Sequence, residues 1–533
     1  MEQFVLSVDQ GTTSTRAVIF NHAAESVGSS QKEHEQHFPQ AGWVEHDAME
    51  IWRNTREVIG RALADADISK HQLAAVGLTN QRETTVVWDR ATGRPVHRAI
   101  VWQDIRTQGI CDELARAGAA EAGESGEAGA SGEAGAADYD RFKDRTGLPL
   151  TTYFAGPKIR WILDHVDGAR ERAEAGELLF GTMDTWLLWN LTGGKDTGIH
   201  LTDVTNASRT LLMNIDTLDW NEEICAEIGI PVPMLPQIRS SSEVYGHGDS
   251  RSLVMDVPLA GILGDQHAAT FGQACFEPGQ GKNTYGTGNF MLMNTGADIV
   301  RDERGLLTTV AYQLGGADPV YALEGSIAVT GSLIQWLRDN LGIISDAAES
   351  ETRAKRVQDT GGCFIVPAFS GLFAPYWRPE ARGVFVGLTR YVNADHICRA
   401  ALEAVAFQSG EVVESMNASA AAELEELKVD GGMVVNETLM QLQADILGVD
   451  VVRPKVIETT ALGAAYAAGI AVGFWDGTED VVANWSEDRR WVPTWDQQER
   501  TRRMKQWRKA VTRSFDWIES ETQTTTSSDA VTT

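Results

Sequence analysis

A turn near the start of the chain combines residue types that bind phosphate and metal ions. It begins at Asp9 and continues through Gly11, Thr12, Thr13 and Ser14 to Arg16. The apolar runs 4–8 and 17–20 flank this turn and predict a β-hairpin. Successive backbone N–H groups in a tight turn form an anion site, and Mg²⁺ prefers oxygen ligands such as a carboxylate. The turn therefore predicts either a phosphate site or an ordinary polar hairpin turn.

Charged residues also follow two other apolar runs. Asp265 follows the run 259–263, and Arg82 and Glu83 follow the run 73–78. A carboxylate at a strand end can accept a proton from a substrate hydroxyl, but an aspartate there can also cap the next helix. The pair Arg82 and Glu83 either binds a polyol or forms a solvated ion pair.

Two glycine-containing turns occur in the second half of the chain. Gly286-Thr287-Gly288 lies between apolar runs, and Asp430-Gly431-Gly432 ends a predicted strand shortly before Asn436, which begins a predicted helix. Glycine lets the backbone approach a ligand closely. The alternatives are an ordinary hairpin turn for the first and a common strand-to-helix connection for the second.

The order of these motifs predicts an α/β protein with two similar domains. Short apolar runs alternate with segments of helical spacing, and polar residues recur where the runs end, as ligand sites do in open α/β sheets. The turn at 283–289 resembles the turn at 9–16, which indicates a duplication. We place the domains at 1–256 and 257–515. The Ala/Gly/Glu-rich insertion at about 117–137 and the tail 516–533 are predicted to be disordered.

The composition excludes several classes of protein. The 533 residues are 43% apolar and 23% charged, which is typical of a globular protein. No apolar stretch reaches the roughly 18 residues of a membrane span, so we expect no membrane insertion. The start lacks the features of a signal peptide, and the five cysteines lack metal or redox spacing. These features predict a cytoplasmic protein with reduced thiols.

The chain is strongly acidic. Its net charge is −29, and only 11 of its 46 basic residues are lysine. Nucleic-acid binding depends on cationic contacts to phosphates, so we expect none. At molar ionic strength the Debye length is about 3 Å, which screens repulsion between surface carboxylates. We hypothesise that the protein works in a salt-rich, halophilic cytoplasm, the alternative being an ordinary acidic cytosolic protein.

Taken together, the four motifs resemble the FGGY family of sugar and polyol kinases. The chain has no phosphate loop of the Gly-x-x-x-x-Gly-Lys type and no protein-kinase signature. The similarity extends from about residue 4 to residue 507, interrupted only by the Ala/Gly/Glu insertion. Stretches that carry it include 9–16, 42–47, 79–85, 206–210, 264–266, 282–288, 367–377 and 461–466. The resemblance implies two actin/Hsp70/ribonuclease-H-like ATPase domains with an active-site cleft between them.

The resemblance further implies that the protein uses ATP and Mg²⁺ to phosphorylate glycerol to sn-glycerol 3-phosphate. Asp265 would be the general base and Asp9 the carboxylate near Mg²⁺. The implied glycerol-binding residues are Arg82, Glu83, Trp102, Tyr153, Asp265, Gln266 and Phe290. The implied nucleotide-binding residues are Thr12, Thr13, Ser14, Arg16, Thr287, Gly331, Gln335, Gly432 and Asn436.

Two other functions remain open. The first is phosphorylation of another small polyol or of dihydroxyacetone, and the second is ATP hydrolysis by an actin- or Hsp70-like protein. By the same resemblance, Gln81-Arg82-Glu83 favours glycerol over pentuloses. The substrate-side residues favour a kinase over an ATPase; they are Arg82, Glu83, Trp102 and Asp265. We also expect a homo-oligomer, either a dimer or a tetramer.

Overall fold

Two β-sheets organise the chain. The computed structural model describes residues 2–125 and 137–518. The strands, in chain order, are β1 (Phe4–Gln10), β2 (Ser14–Phe20), β3 (Ser26–Glu33), β4 (Glu45–His46), β5 (Leu73–Asn80), β6 (Val86–Asp89), β7 (Ala99–Ile100), β8 (Leu178–Gly181), β9 (Leu201–Asp203), β10 (Gln237–Arg239), β11 (Ser242–His247), β12 (Pro258–Gly264), β13 (Gly281–Tyr285), β14 (Asn289–Gly296), β15 (Leu307–Tyr312), β16 (Val320–Ile327), β17 (Phe364–Val366), β18 (Val384–Val386), β19 (Glu426–Asp430), β20 (Asp450–Pro454) and β21 (Glu487–Trp491).

Helices cover and connect these strands. They are α1 (Ala48–Asp65), α2 (Gln108–Ser125), α3 (Lys143–Thr146), α4 (Ala155–His165), α5 (Ala169–Glu174), α6 (Met183–Leu191), α7 (Val204–Ala207), α8 (Glu222–Ile228), α9 (Asp265–Gly272), α10 (Gly331–Asp339), α11 (Ala347–Ala354), α12 (Ala394–Ser419), α13 (Glu437–Leu447), α14 (Thr459–Ala471), α15 (Thr478–Asn484) and α16 (Gln497–Val511). Short 3₁₀ turns occur at Lys70–Gln72, Val232–Met234 and Gly432–Val435. No helix within the described ranges is both long and apolar enough to cross a membrane.

Six strands of the second large sheet repeat the topology of the first, and β15 is an additional edge strand. The first has the order β11-β12-β5-β1-β2-β3, and the second has the order β15-β16-β14-β13-β19-β20-β21. In each sheet an antiparallel hairpin, β1–β2 or β13–β14, has another antiparallel strand beside its second strand. On the other side of the hairpin, two parallel strands lie beside its first strand. They are β5 and β12 in the first sheet, and β19 and β20 in the second. The predicted duplication of two similar domains is therefore confirmed.

Strand β12 belongs to the first sheet, although it follows the domain boundary predicted at residue 256. It pairs in parallel with β5, with Leu263 opposite Thr79. The predicted boundary therefore falls one strand and one helix too early, because β12 completes the first sheet and α9 continues directly from it. The apolar run that forms β12 marks a strand without indicating which sheet that strand joins.

Helix α14 comes from the second half of the chain but packs on the first sheet. A Cβ atom added at Gly77 in β5 would lie 2.1 Å from the carbonyl oxygen of Ala464 in α14. A Cβ added at Gly463 would lie 1.8 Å from the carbonyl oxygen of Ala268 in α9. Only glycine permits such close contact between backbones. Helices α9 and α14 thus form a tightly packed layer between the two sheets.

The insertion is only partly described. Helix α2 continues to Ser125, so residues 117–125 are helical and the prediction of disorder is wrong for that part. Alanine and glutamate favour helix, and a helix that has already begun at Gln108 extends more easily than a new one forms. Residues 126–136 and the tail from residue 519 lie outside the described residues, so the predictions of disorder there stay predictions.

Candidate active site

The ends of two parallel strands bring Arg82 and Asp265 together. Gly264 at the end of β12 lies opposite Asn80 at the end of β5. Asp265 follows β12 directly, and Arg82 is the second residue after β5. The Nε atom of Arg82 lies 3.2 Å from an oxygen of Asp265, whose side chain is 27% exposed. The N-cap of α9 is Gly264, so Asp265 is not the helix cap that sequence alone left open.

A buried chain of alternating charges extends from this pair. Arg82 donates both Nη groups to Glu324 of β16, with Nη2 3.0 Å from Oε1. Arg209, which follows α7, donates Nη2 to the same Oε1 at 3.1 Å. Its Nε atom donates to Oε1 of Glu83 at 2.7 Å. The order Asp265, Arg82, Glu324, Arg209, Glu83 defines what we call the charge chain.

The charge chain shifts the pKa of each of its carboxyl groups. Burial alone would raise the pKa of Glu324, but Arg209 and Arg82 hold it well below its ordinary value. Burial raises the pKa of Glu83, and the two arginines oppose this rise. Burial also raises the pKa of Asp265, which Arg82 and Lys282 counteract. Asp265 is the one of these three whose side chain keeps substantial access to the cleft.

Three aromatic rings lie beside the charge chain. The ring centroid of Trp102 is 5.6 Å from that of Tyr153 and 5.8 Å from that of Phe290 in β14. The indole Nε1 of Trp102 also donates to Oγ1 of Thr12 at 3.0 Å. The structure therefore brings together the predicted aromatic residues from both domains and joins them to the first Gly/Thr turn.

Gln266 is held by a buried lysine. Lys282 in β13 donates its Nζ group to Oε1 of Gln266, to Oγ1 of Thr284 at 2.9 Å and to the carbonyl oxygen of Phe290 at 3.3 Å. Burial lowers the pKa of Lys282 to about 8. The lysine thus fixes the predicted ligand Gln266 and the strand that carries the predicted ligand Phe290.

The first Gly/Thr turn is a hairpin turn, as predicted. Gly11 N donates to the carbonyl oxygen of Ser14 at 2.9 Å, and Asp9 lies opposite Arg16 across the two strands. Thr12 and Thr13 form the turn itself. Arg16 reaches across the cleft to form an ion pair with Glu458, and its Nη2 donates to Gln31 at 2.9 Å.

The remaining predicted nucleotide residues cluster in the second domain. Gly331, the first residue of α10, donates its N–H to the carbonyl oxygen of Gly286 at 3.1 Å, directly before Thr287. Gln335 lies one turn further along α10 and is exposed. Gly432 has open space where a side chain would be, and Asn436 is the N-cap of α13, accepting from Leu439 N at 2.9 Å. A Cβ added at Gly331 would lie 3.3 Å from Sδ of Met433, so α10 adjoins the turn that contains Gly432.

Asp9 is suited to a divalent cation. Burial raises its pKa to about 6, Arg16 lowers it, and the nearby Asp265 raises it further. Within residues 2–125 and 137–518, no group of three or more histidine, cysteine, aspartate or glutamate residues is arranged for a metal ion. Mg²⁺ commonly takes one or two carboxylates, substrate phosphates and water, so a buried carboxylate beside the predicted phosphate turn fits it.

Three site residues were not assigned from the sequence: Arg209, Lys282 and Glu324. Glu324 lies within the apolar stretch of β16 and is fully buried. A charged residue inside an apolar strand indicates a buried ion pair, since buried charges are normally paired. The sequence does not indicate that its partners are Arg82 and Arg209, 242 and 115 residues away.

The duplicated sheets and the charged cleft between them define a two-domain α/β protein of the actin/Hsp70/ribonuclease-H-like class. Residues 4–126 and 133–272 match the N-terminal domain of the FGGY family of carbohydrate kinases, and residues 281–472 match its C-terminal domain. The chain therefore belongs to the FGGY family. The unmatched residues 127–132 fall inside the predicted insertion.

Named relatives are similar over nearly the full length. A glycerol kinase of Clavibacter michiganensis subsp. michiganensis is 63% identical over 98% of this chain and 100% of its own. A glycerol kinase of Beutenbergia cavernae is 64% identical over the same shares. A crystal structure of Plasmodium falciparum glycerol kinase with ADP is 36% identical, with a TM-score of 0.86 over 96% of this chain and 98% of that one.

Proposed function

We propose that the protein transfers the γ-phosphoryl group of ATP to glycerol, forming sn-glycerol 3-phosphate. The observation that carries this proposal is the charge chain, which ends in two carboxylates, Asp265 and Glu83, beside three aromatic rings. Glycerol is small and carries a hydroxyl group on every carbon atom of its short skeleton. Charged acceptors and donors match its hydroxyls, and Trp102 and Phe290 match its carbon atoms. The 63–64% identity to two glycerol kinases supports the same substrate.

Asp265 acts as the general base. Its carboxylate accepts the proton of the terminal hydroxyl as that oxygen attacks the γ-phosphorus, and the bond to the β,γ-bridging oxygen of ATP breaks in line. Arg82 keeps the carboxylate oriented through its Nε atom, 3.2 Å away. Glu83 and Tyr153 bind the other hydroxyls. A hydroxyl left without its partner in such a site costs about 1–3 kcal/mol, which favours a substrate with hydroxyls in these places.

The two Gly/Thr turns hold the phosphates from opposite sides. Thr12, Thr13, Ser14 and Arg16 bind from the first domain, and Thr287 from the second. Gly331, Gln335, Gly432 and Asn436 bind the remainder of the nucleotide. Asp9 would hold Mg²⁺, which would help neutralise the charge of the transferred group. The packed aromatic residues exclude water from the reacting atoms and limit ATP hydrolysis.

The cellular setting belongs to the same proposal. The five cysteines are buried and unbridged, which suits a reducing cytoplasm. The net charge of −29 supports a salt-rich interior. A homo-oligomer, dimer or tetramer, stays a prediction that measurement of molar mass in solution would test.

A substrate panel tests the proposed activity. ADP release is measured in a coupled assay with Mg-ATP and, in turn, glycerol, dihydroxyacetone, a pentulose or no acceptor. We expect glycerol to give the largest kcat/KM and the acceptor-free rate to be near background. Equal turnover of a pentulose would refute glycerol specificity. ATP hydrolysis that does not respond to any acceptor would instead favour an actin- or Hsp70-like ATPase.

A further inference from the structure

The carboxylate of Glu324 is occupied by neighbouring side chains and is closed to solvent. Its Oε1 atom accepts from Arg82 Nη2 at 3.0 Å, from Arg209 Nη2 at 3.1 Å and from Ser326 Oγ at 3.1 Å. Its Oε2 atom accepts from Arg82 Nη1. The side chain has no solvent exposure. Glu324 therefore acts on other side chains rather than on a ligand.

Arg209 links this carboxylate to a second one. It donates Nε to Glu83 and Nη2 to Glu324. Its guanidinium carbon lies 5.6 Å from the ring centroid of Tyr153. Among the described residues, its buried Nη1 atom has no hydrogen-bond partner. The arginine thus contacts two residues assigned to glycerol, Glu83 and Tyr153, and is itself completely buried.

We propose that Glu324 and Arg209 are positioning residues that set the spacing between Asp265 and Glu83, the two carboxylates at the ends of the charge chain. This inference rests on the proposed function, because those carboxylates are assigned to glycerol hydroxyls. Glu324 fixes Arg82 with a two-pronged contact, so that the Nε atom of Arg82 points to Asp265. Arg209 is held by the same Glu324 carboxylate through its Nη2 atom and fixes Glu83 through its Nε atom.

The two sheets contribute different parts of this arrangement. Glu324 lies on β16 opposite Leu292 of β14, and Ser326 lies opposite Phe290. The strand pair β14–β16 therefore delivers both the aromatic Phe290 and the carboxylate Glu324 from the second domain. Arg82, Glu83 and Arg209 come from the first domain. Glycerol recognition consequently depends on a buried ion-pair contact between the two domains.

Replacement of Glu324 tests the proposal. In Glu324→Gln the two arginines lose their shared counter-charge, and we expect the KM for glycerol to rise about 10- to 100-fold. The KM for ATP should stay within about twofold, because none of the predicted nucleotide residues contacts Glu324. In Glu324→Asp the charge is retained, so its KM for glycerol should lie between those of the wild type and Glu324→Gln.

Glu403→Gln is the matched control. Glu403 is also buried between two arginines, with Oε1 3.1 Å from Arg399 Nε and Oε2 3.5 Å from Arg503 Nη1. It lies on α12, outside the assigned site. We expect it to lower thermal stability without changing the KM for glycerol. The positioning role would be overturned if Glu324→Gln changed the KM for ATP as much as the KM for glycerol. It would also be overturned if Glu403→Gln raised the KM for glycerol while leaving the KM for ATP unchanged.

Arg209→Lys gives a second test that leaves the net charge of the buried cluster unchanged. A lysine keeps the positive charge but cannot present the rigid fork that contacts Glu83 and Glu324 together. We expect its KM for glycerol to rise about tenfold while its KM for ATP stays unchanged. A wild-type glycerol KM in this folded variant would reject the inference. Lack of glycerol turnover by the wild type would instead reject the proposed function.

Discussion

Arg16 of strand β2 and Glu458, the residue before helix α14, form an ion pair across the cleft between the two domains. Arg16 is also assigned to the phosphates of ATP, so the same guanidinium has a carboxylate partner where a phosphate would bind. Their side chains are 28% and 43% exposed, which weakens the pair through solvent screening. We therefore expect Glu458 to be a modest competitor of the nucleotide.

Glu458→Gln should lower the KM for ATP. Partly exposed ion pairs contribute about 0.2–1 kcal/mol, so the decrease should not exceed about fivefold. The KM for glycerol should be unchanged, because neither residue contacts the charge chain. Steady-state kinetics at low ionic strength would measure both values. Glu57→Gln, which removes a surface partner of Lys32 and Arg61, is the control. A raised KM for ATP would show that Glu458 assists binding instead.

Asp265→Asn should retain glycerol binding and lose most of its turnover. General-base catalysis contributes about 10²–10⁴-fold, and asparagine cannot accept the proton. Glycerol affinity, measured by calorimetry with a non-hydrolysable ATP analogue, should change little because the amide keeps one oxygen toward Arg82. A near-normal kcat in Asp265→Asn would refute the assignment of Asp265 as the general base. Asp249→Asn, at a half-buried position in the loop between β11 and β12, should leave both quantities unchanged.

The pH dependence of kcat/KM should also report the ionisation of Asp265. The base is active when ionised, and burial raises the pKa of Asp265. As pH falls, kcat/KM should therefore begin to decline at a higher pH than an exposed aspartate would impose. Lys282 opposes this rise in pKa, so Lys282→Met should move the acidic limb to still higher pH. A limb that moves the opposite way would contradict this electrostatic assignment.

Lys158 should be important for stability near Tyr153. Its Nζ atom donates to the carbonyl oxygens of Thr152, Tyr153 and Phe154 at 2.7, 2.6 and 3.1 Å. Lys158→Met leaves these oxygens without a donor and should lower the free energy of unfolding by about 1–3 kcal/mol. Urea denaturation would measure this change. Lys355→Met, at a position with 57% exposure, should have little effect.

The stability difference at Lys158 should also depend on pH. Burial lowers the pKa of Lys158 to about 8, whereas an unfolded lysine titrates near about 10.4. Between these values the unfolded state binds more protons, so the wild type should gain stability relative to Lys158→Met as pH rises. The gain is at most about 1.4 kcal/mol per pH unit. A pH-independent difference would mean that the lysine is not desolvated in the folded protein.

The contact between α9 and α14 should not tolerate a methyl group. In Gly463→Ala the new Cβ would lie 1.8 Å from the carbonyl oxygen of Ala268. Overpacking of this kind costs about 1–3 kcal/mol or more, because two backbones must separate. Thermal unfolding would measure the loss. Gly316→Ala, where an added Cβ has no neighbour within 4 Å, should be nearly neutral.

Potassium chloride should stabilise the protein. Salt weakens attractive pairs such as Arg301 and Asp216, 2.7 Å apart, but it also screens the repulsion that a net charge of −29 creates. If repulsion dominates, the midpoint of thermal unfolding and glycerol-dependent activity should both rise toward molar KCl. A neutral osmolyte at equal osmolarity is the control. Full stability and activity without salt would refute a halophilic habit.

Local patterns predicted most of the elements that position the site. The apolar runs of β1 and β2, the turn at Gly11 and the glycines at 286 and 288 each specify a structure within a few residues. The end of the strand before Asp265 is likewise specified by neighbouring residues. By contrast, the contacts of Glu324 with Arg82 and Arg209 join segments far apart in the chain, which no short pattern encodes. The same reason explains the misplaced domain boundary, since the pairing of β12 with β5 is also long-range.

The position of α14 has a consequence for how the protein is made. The first sheet is synthesised by residue 264, yet the helix that packs on Gly77 and Gly261 ends only at Ala471. During translation, one face of that sheet therefore stays without its native cover until nearly nine-tenths of the chain has been synthesised. The first domain cannot complete its folding as an independent N-terminal unit, and a fragment that ends before residue 459 would expose that apolar face to solvent and to aggregation.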